Sequence, residues 1–215
     1  MFTRKIQTGP FLIMLAAGLW ALDALIRTGL TKTIPPASIV FFEHVIGFVI
    51  LLPIFLRAFP KYRVLTLRDW ATLVGLTLVS SVLGTLLFTE ALARSFASYD
   101  FATPVLLQKL QPVFVIALAT LFLKEHLSRR FLLLVPLALI GSYMVSFGTD
   151  LVRPSLEGKF LVFVLAIGAS LAWGAGTIFS KKILTKLNFK EASAMRFLLA
   201  IPMSYLAMRI LHDRY

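Results

Sequence analysis

Seven long apolar stretches, separated by short polar breaks, run the length of the chain. They are Pro10–Leu30, Ala37–Leu56, Trp70–Leu92, Phe101–Leu123, Phe131–Phe147, Lys159–Ile183 and a last one from Asn188 to Leu211. Each falls in the range of about 17–25 residues that a helix needs to cross a hydrocarbon core of about 30 Å. The breaks fall at Thr31–Pro36, the basic segment Arg57–Asp69, Arg94–Asp100, the run after Leu123, and Gly148–Gly158. Helix-start signals sit at several of them. Pro10 suits the first turn of a helix, where its missing N–H is no loss. Thr66 with Asp69, and Asn188 with Glu191, have the spacing of side chains that cap a helix N-terminus. The pattern predicts an all-α, polytopic membrane helix bundle of seven spans.

The fourth stretch is the most informative. Ala102 to Leu123 is apolar, yet it carries Gln108, Lys109 and Gln111 among its first ten residues, and it stops abruptly at Lys124, Glu125 and His126. A lysine about 10 Å inside a span costs about 2.5–3.5 kcal/mol on insertion scales, so it faces a cavity or a partner. At 100° per residue, Pro104, Gln108, Lys109, Gln111 and Pro112 share an arc of about 160°, with Leu106, Leu110 and Val113 opposite. One side suits lipid or neighbouring helices, and the other suits water or a solute.

This stretch resembles the fourth helix of an EamA-type repeat in the drug/metabolite transporter superfamily. Gln111-Pro112, the small and apolar run after it, and Leu123-Lys124-Glu125 carry the resemblance. The resemblance implies a fold of ten helices in two five-helix repeats, and transport of small metabolites.

Composition supports the membrane reading. The chain is 59% hydrophobic and 15% charged, with mean hydropathy +0.87. Soluble domains are about 45–50% apolar and 25% charged. The net charge of +12 would point to nucleic acid in a soluble protein. Here the positive residues sit in short loops, so no nucleic-acid partner is expected. With the N-terminus inside, 13 of the 22 lysines and arginines fall on the inner side and 7 on the outer, while Lys109 and Arg196 lie within spans. That bias predicts a cytoplasmic N-terminus. The expected location is the cell membrane, as a multi-pass protein of a bacterial cytoplasmic membrane. The first span is too long for a signal peptide and is read as retained. The absence of cysteine removes disulfides and thiolate chemistry.

A weak internal repeat links the two ends. Trp20, Asp23 and Arg27 in the first span parallel Trp173, Gly176 and Ser180 in the sixth, and Ser38 to Glu43 in the second parallels Glu191 to Arg196 in the seventh. Five helices per unit is odd, so two copies have opposite orientation in the membrane, as in inverted-repeat transporters. Residues 1–147 then form one complete five-helix repeat, and 148–215 hold the first two helices of an inverted second. Against the ten helices of the resembled family, the chain reads as truncated after helix seven.

Six ionisable residues of the first four spans, Asp23, Arg27, Glu43, His44, Glu90 and Lys109, fall in the outer half although their helices alternate in direction. Scattered charges would not gather on one side. The candidate substrate-binding set is Trp20, Asp23, Glu43, His44, Gln108, Lys109, Gln111, Trp173 and Arg196. The plainer alternative is pairing alone, Asp23 with Arg27 and Glu43 with Lys109, with Arg27 and Glu90 reaching to the interface. The resembled family often carries Arg where this chain has Glu43. The small residues Ala16, Ala17, Gly18, Gly168, Ala169, Ser170, Gly174 and Gly176 allow helices to approach closely.

The reading is a secondary transporter of a small polar or amphipathic metabolite, working by alternating access. The alternative is a non-transporting membrane subunit or an inactive fragment of one. No enzyme, cofactor or metal is expected, because the protease and zinc motifs Gly-x-Ser-x-Gly and His-Glu-x-x-His do not occur. The expected partners are a small-molecule substrate, the lipid bilayer, and either a second copy of the chain or the missing C-terminal helices.

Overall fold

A computed structural model describes residues 8–97, 102–124, 128–149 and 159–212. Among them every regular element is helical. The order is α1 (Thr8–Leu30), α2 (Pro36–Tyr62), α3 (Leu67–Leu76), a π-helical segment (Thr77–Gly84), α4 (Thr85–Ala97), α5 (Ala102–Leu107), a 3₁₀ turn (Gln108–Leu110), α6 (Gln111–Leu123), α7 (Arg129–Phe147), α8 (Lys159–Ile183) and α9 (Phe189–His212). Six runs are long and apolar enough to cross a bilayer: Gly9–Leu30, Pro36–Tyr62, Leu67–Ser95, Thr103–Phe122, Lys159–Ile183 and Phe189–Leu211. The 19-residue α7 stands where the fifth span is expected. Side chains such as Leu25, Ile50 and Leu133 stand exposed. Hydrocarbon, not water, is the solvent that suits such a surface.

The caps read from the sequence form as expected. Thr66 and Asp69 exchange side-chain and backbone bonds, closing a capping box on α3. The Asn188 side chain accepts from the Glu191 N–H at 2.9 Å, and Glu191 accepts from the Asn188 N–H at 2.9 Å. α6 ends at Lys124, whose φ of 55° lies in the left-handed region where a helix cannot continue. That accounts for the abrupt stop.

Two expectations change. The second helix does not end at Leu56 but runs on to Tyr62, so Arg57 and Lys61 are helical. Ala58 and Tyr62 drive this, because both are buried against Leu73, Leu76, Ile183, Leu187, Ala192 and Met195. The third and fourth spans are not uniform α-helix. The π segment interrupts the third, and the 3₁₀ turn interrupts the fourth at the polar Gln108-Lys109 pair.

The most buried span is α8. It packs on α3, the π segment, α4, α5 and α6, while α9 lies along α2. Phe41 meets Tyr205 near one end of that pair and Tyr62 meets Glu191 at the other, so α2 and α9 run antiparallel. The small residues of α8 are used for close approach. A side chain on Gly176 would strike the Ser80 side chain, and one on Gly174 would come within 3.0 Å of the Phe114 Cβ. Gly18 of α1 is not so used, since nothing lies within 4 Å of where a Cβ on it would stand. Only 6% of the α1 span is buried, against 44% of α8.

Glu191 ties α2 to α9. Beyond its cap, it accepts from Lys61 Nζ at 2.6 Å, and its backbone carbonyl accepts from the Tyr62 hydroxyl at 2.9 Å. Lys61 is more than half exposed, so the ion pair adds little, and the cap dominates. Replacing Glu191 by Ala is expected to destabilise the fold by about 1–2 kcal/mol. A thermal melt of the detergent-solubilised protein measures it, and an unchanged midpoint would remove Glu191 from this role.

Candidate functional site

A cavity of about 390 Å³ opens inside the bundle. It is lined by Trp20 of α1, Glu43 and His44 of α2, Ser80 and Ser81 of the π segment, and Thr85 of α4. Gln111 of α6, Trp173, Gly176, Thr177 and Ser180 of α8, and Arg196 and Phe197 of α9 complete it. Trp20 is near the middle of Thr8–Leu30, and Trp173 near the middle of Lys159–Ile183. The cavity therefore lies close to mid-membrane depth. Its volume is within the range of about 300–1,000 Å³ typical of small-molecule sites.

The two tryptophans meet edge to face, with ring centroids 5.4 Å apart and planes at 83°. Phe88 packs on Trp173 from behind at 5.3 Å. This T-shape is a favoured aromatic geometry, and it leaves Trp20, 45% exposed, with surface free for another ring. Gly84 makes room for Trp173, since a Cβ there would lie 2.8 Å from the indole.

Arg27 organises the charges. Its Nε and Nη2 donate to the two oxygens of Asp23 at 3.1 Å each, and its Nη1 donates to Glu43 at 3.0 Å and to the Thr89 hydroxyl at 3.2 Å. Asp23 sits one turn before Arg27 on the same face of α1, which allows the forked, two-point contact. Arg27 thus links α1, α2 and α4. It does not reach out to the interface as expected, because the bundle itself supplies acceptors. Its side chain is only 6% exposed.

His44 is buried, and its Nδ1 lies 2.7 Å from the Val40 carbonyl. A carbonyl only accepts, so Nδ1 carries the hydrogen, and in the neutral ring Nε2 is left as an acceptor. The ring packs at 5.1 Å from Phe197. Arg196 has no ion pair or hydrogen bond among the described residues, and its Nε is buried without an acceptor. The Ser81 hydroxyl is likewise buried and unpartnered.

Of the nine residues predicted for the site, six line this cavity: Trp20, Glu43, His44, Gln111, Trp173 and Arg196. Asp23 reaches it through Arg27. Gln108 and Lys109 line a second, more open cavity of about 620 Å³, shared with Ile13, Ala16 and Pro112 and joined to the first by Trp20, Gln111 and Thr177. Lys109 is exposed and does not pair with Glu43 or Asp23, contrary to the sequence reading. Arg27 takes both carboxylates first. Glu90 pairs with Arg94 at 2.7 Å.

Sequence reasoning missed the hydroxyls. Thr77, Ser81, Thr85 and Thr89 recur every fourth residue along the third span. That spacing marks one helix face. Ser81 and Thr85 line the cavity, and Thr89 bonds to Arg27.

The comparisons with known proteins agree with this architecture. Residues 7–147 match the model of the EamA-like transporter family. The chain is 31% identical over 194 residues to the riboflavin transporter ImpX of Fusobacterium nucleatum, a match covering 89% of this chain and 64% of that protein. It is 30% identical over 182 residues to a probable amino-acid metabolite efflux pump of Salmonella typhimurium, covering 81% of this chain and 54% of that one. The chain thus spans roughly three fifths of the length of these relatives. No solved structure matches. A bundle of apolar helices around a polar central cavity, with a family match over most of its length, makes this chain a member of the EamA-like transporter family, within the drug/metabolite transporter superfamily.

Proposed function

We propose that this protein carries a small polar metabolite bearing a planar ring across the cytoplasmic membrane by alternating access, and that the 390 Å³ cavity is its binding site. One observation carries the proposal. Trp20 and Trp173, and Glu43 and Arg196, are matching positions of the weak sequence repeat, and all four line the same cavity. Inverted-repeat transporters bind substrate at such a repeat interface near the membrane midplane, and rock one repeat against the other around it. The antiparallel course of α2 and α9 fits that geometry.

In this reading the indoles of Trp20 and Trp173 hold the ring, and the cavity hydroxyls with Gln111 and His44 Nε2 bond its polar edge. Arg27 fixes Glu43 and Asp23 in place. The names of the two relatives suggest the first solutes to test, riboflavin and amino-acid metabolites. No nucleotide-binding motif occurs in the sequence, so an ion or solute gradient supplies the energy.

A second reading, a membrane subunit that does not transport alone, is favoured by the thin packing of α1. A second copy of the chain, or three further helices of a second repeat, would cover that helix. Flux through liposomes holding this chain, compared with a version extended by three helices, separates the two. Flux from the extended form alone supports the subunit reading.

Cells expressing the transporting form are expected to show saturable flux of riboflavin or an amino-acid metabolite above the vector control. Trp173→Ala should lower it about tenfold, equivalent to about 1.4 kcal/mol of lost binding. Flux equal to wild type at equal expression would move the substrate elsewhere. Reporter fusions are expected to place the N-terminus and the Arg57–Asp69 segment in the cytoplasm and the Thr31–Pro36 turn outside. The opposite pattern would invert the orientation.

A further inference from the structure

We infer that the transported solute carries a negative charge, and that Arg196 is the residue that receives it, so that the substrate class is a planar organic anion such as an aromatic carboxylate. The inference rests on the central cavity being the binding site, and it adds the charge of the ligand.

The argument is one of charge already spent. Two carboxylates lie at or beside the cavity, Asp23 and Glu43. Both are held by Arg27, Asp23 through two bonds at 3.1 Å and Glu43 through one at 3.0 Å. Each already neutralises part of the Arg27 charge, although Glu43 lines the cavity and is bonded through only one of its oxygens. Arg196 also lines the cavity, from α9, and has no acceptor for its buried Nε among the described residues. A guanidinium taken out of water needs acceptors, and its planar fork matches a carboxylate or another oxyanion. Glu43 does not fill that need. An anion brought by the ligand is the group that suits this guanidinium.

Other lining groups fit the same ligand. Ser81 has a buried hydroxyl with no partner, which can donate to an anionic oxygen. Trp20 offers free indole surface to a ring. A cationic amine would meet two arginines, Arg27 and Arg196, against the two carboxylates Arg27 already holds. A neutral ring would offer the buried Nε of Arg196 no charged acceptor.

The chain has no cysteine, which gives a clean test. Ser180→Cys places a single thiol on the cavity wall. In membrane vesicles, its modification by a sulfonate-bearing methanethiosulfonate is compared with that by a trimethylammonium-bearing one, each relative to its rate with a free small thiol. The anionic reagent is expected to be favoured at least about tenfold, as a cleft of one sign concentrates its counter-ion. Adding Arg196→Gln should bring the ratio close to one, while Arg196→Lys should keep most of it. Indole-3-acetate should then slow modification more than tryptamine or tryptophol. Equal rates for the two reagents, a ratio indifferent to Arg196→Gln, or equal protection by the three indoles would overturn the inference. The wild-type ratio and the protection pattern decide it even if Arg196→Gln does not fold. Failure of both reagents to react, with full reaction after denaturation, would instead show a cavity closed to water and would sink the binding site itself.

Discussion

Arg27 is the group on which the interior of this bundle depends. Hydrocarbon cannot solvate a carboxylate, and Asp23 and Glu43 stand at membrane depth on two different helices. A single buried guanidinium bonds both, and Thr89 of α4 as well. That knot fixes α1 to its neighbours at a point where α1 has few other contacts. The second arginine, Arg196, forms no ion pair among the described residues. The charge of the site follows from which cation claims the acids.

Packing around the knot is uneven. α8 lies at the centre, held by Trp173, Ala166 and Ala169 and by the tight approach of Gly176 to the π segment. α1 lies at the margin. The π segment and the 3₁₀ turn interrupt the two spans that flank α8, and π turns inside helices often accompany functional sites. Both interruptions carry cavity-facing groups, Ser80 and Ser81 in one and Gln108 and Lys109 in the other. The irregular backbone lines a cavity in both places, while Leu78 and Leu83 of the π segment stand exposed.

Much of the fold was legible because it rests on local rules. Apolar run lengths gave the spans, and Thr66-Asp69 and Asn188-Glu191 gave helix starts that form as written. Depth along the spans put Glu43 and His44 in one candidate set, and Trp20, Trp173 and Arg196 joined it as polar or aromatic groups inside spans; all five line the one cavity. What failed was the choice between competing partners. Depth places Lys109 and Arg27 in the same half of the membrane, but only the three-dimensional packing decides which reaches Glu43. The hydroxyl ladder of Thr77, Ser81, Thr85 and Thr89 was hidden because threonine and serine barely interrupt an apolar run. The continuation of α2 to Tyr62 depended on contacts with Leu73 and Ile183, which lie far away in the chain.

The most direct measurement of the central interaction is a double-mutant cycle on unfolding, with Arg27→Gln, Glu43→Gln and the pair together. If Arg27 and Glu43 hold each other against the cost of burial, each single change destabilises, and the double change costs less than their sum by about 1–3 kcal/mol. Strict additivity would show that the two side chains do not depend on one another, and the account of the site built on Arg27 would be wrong.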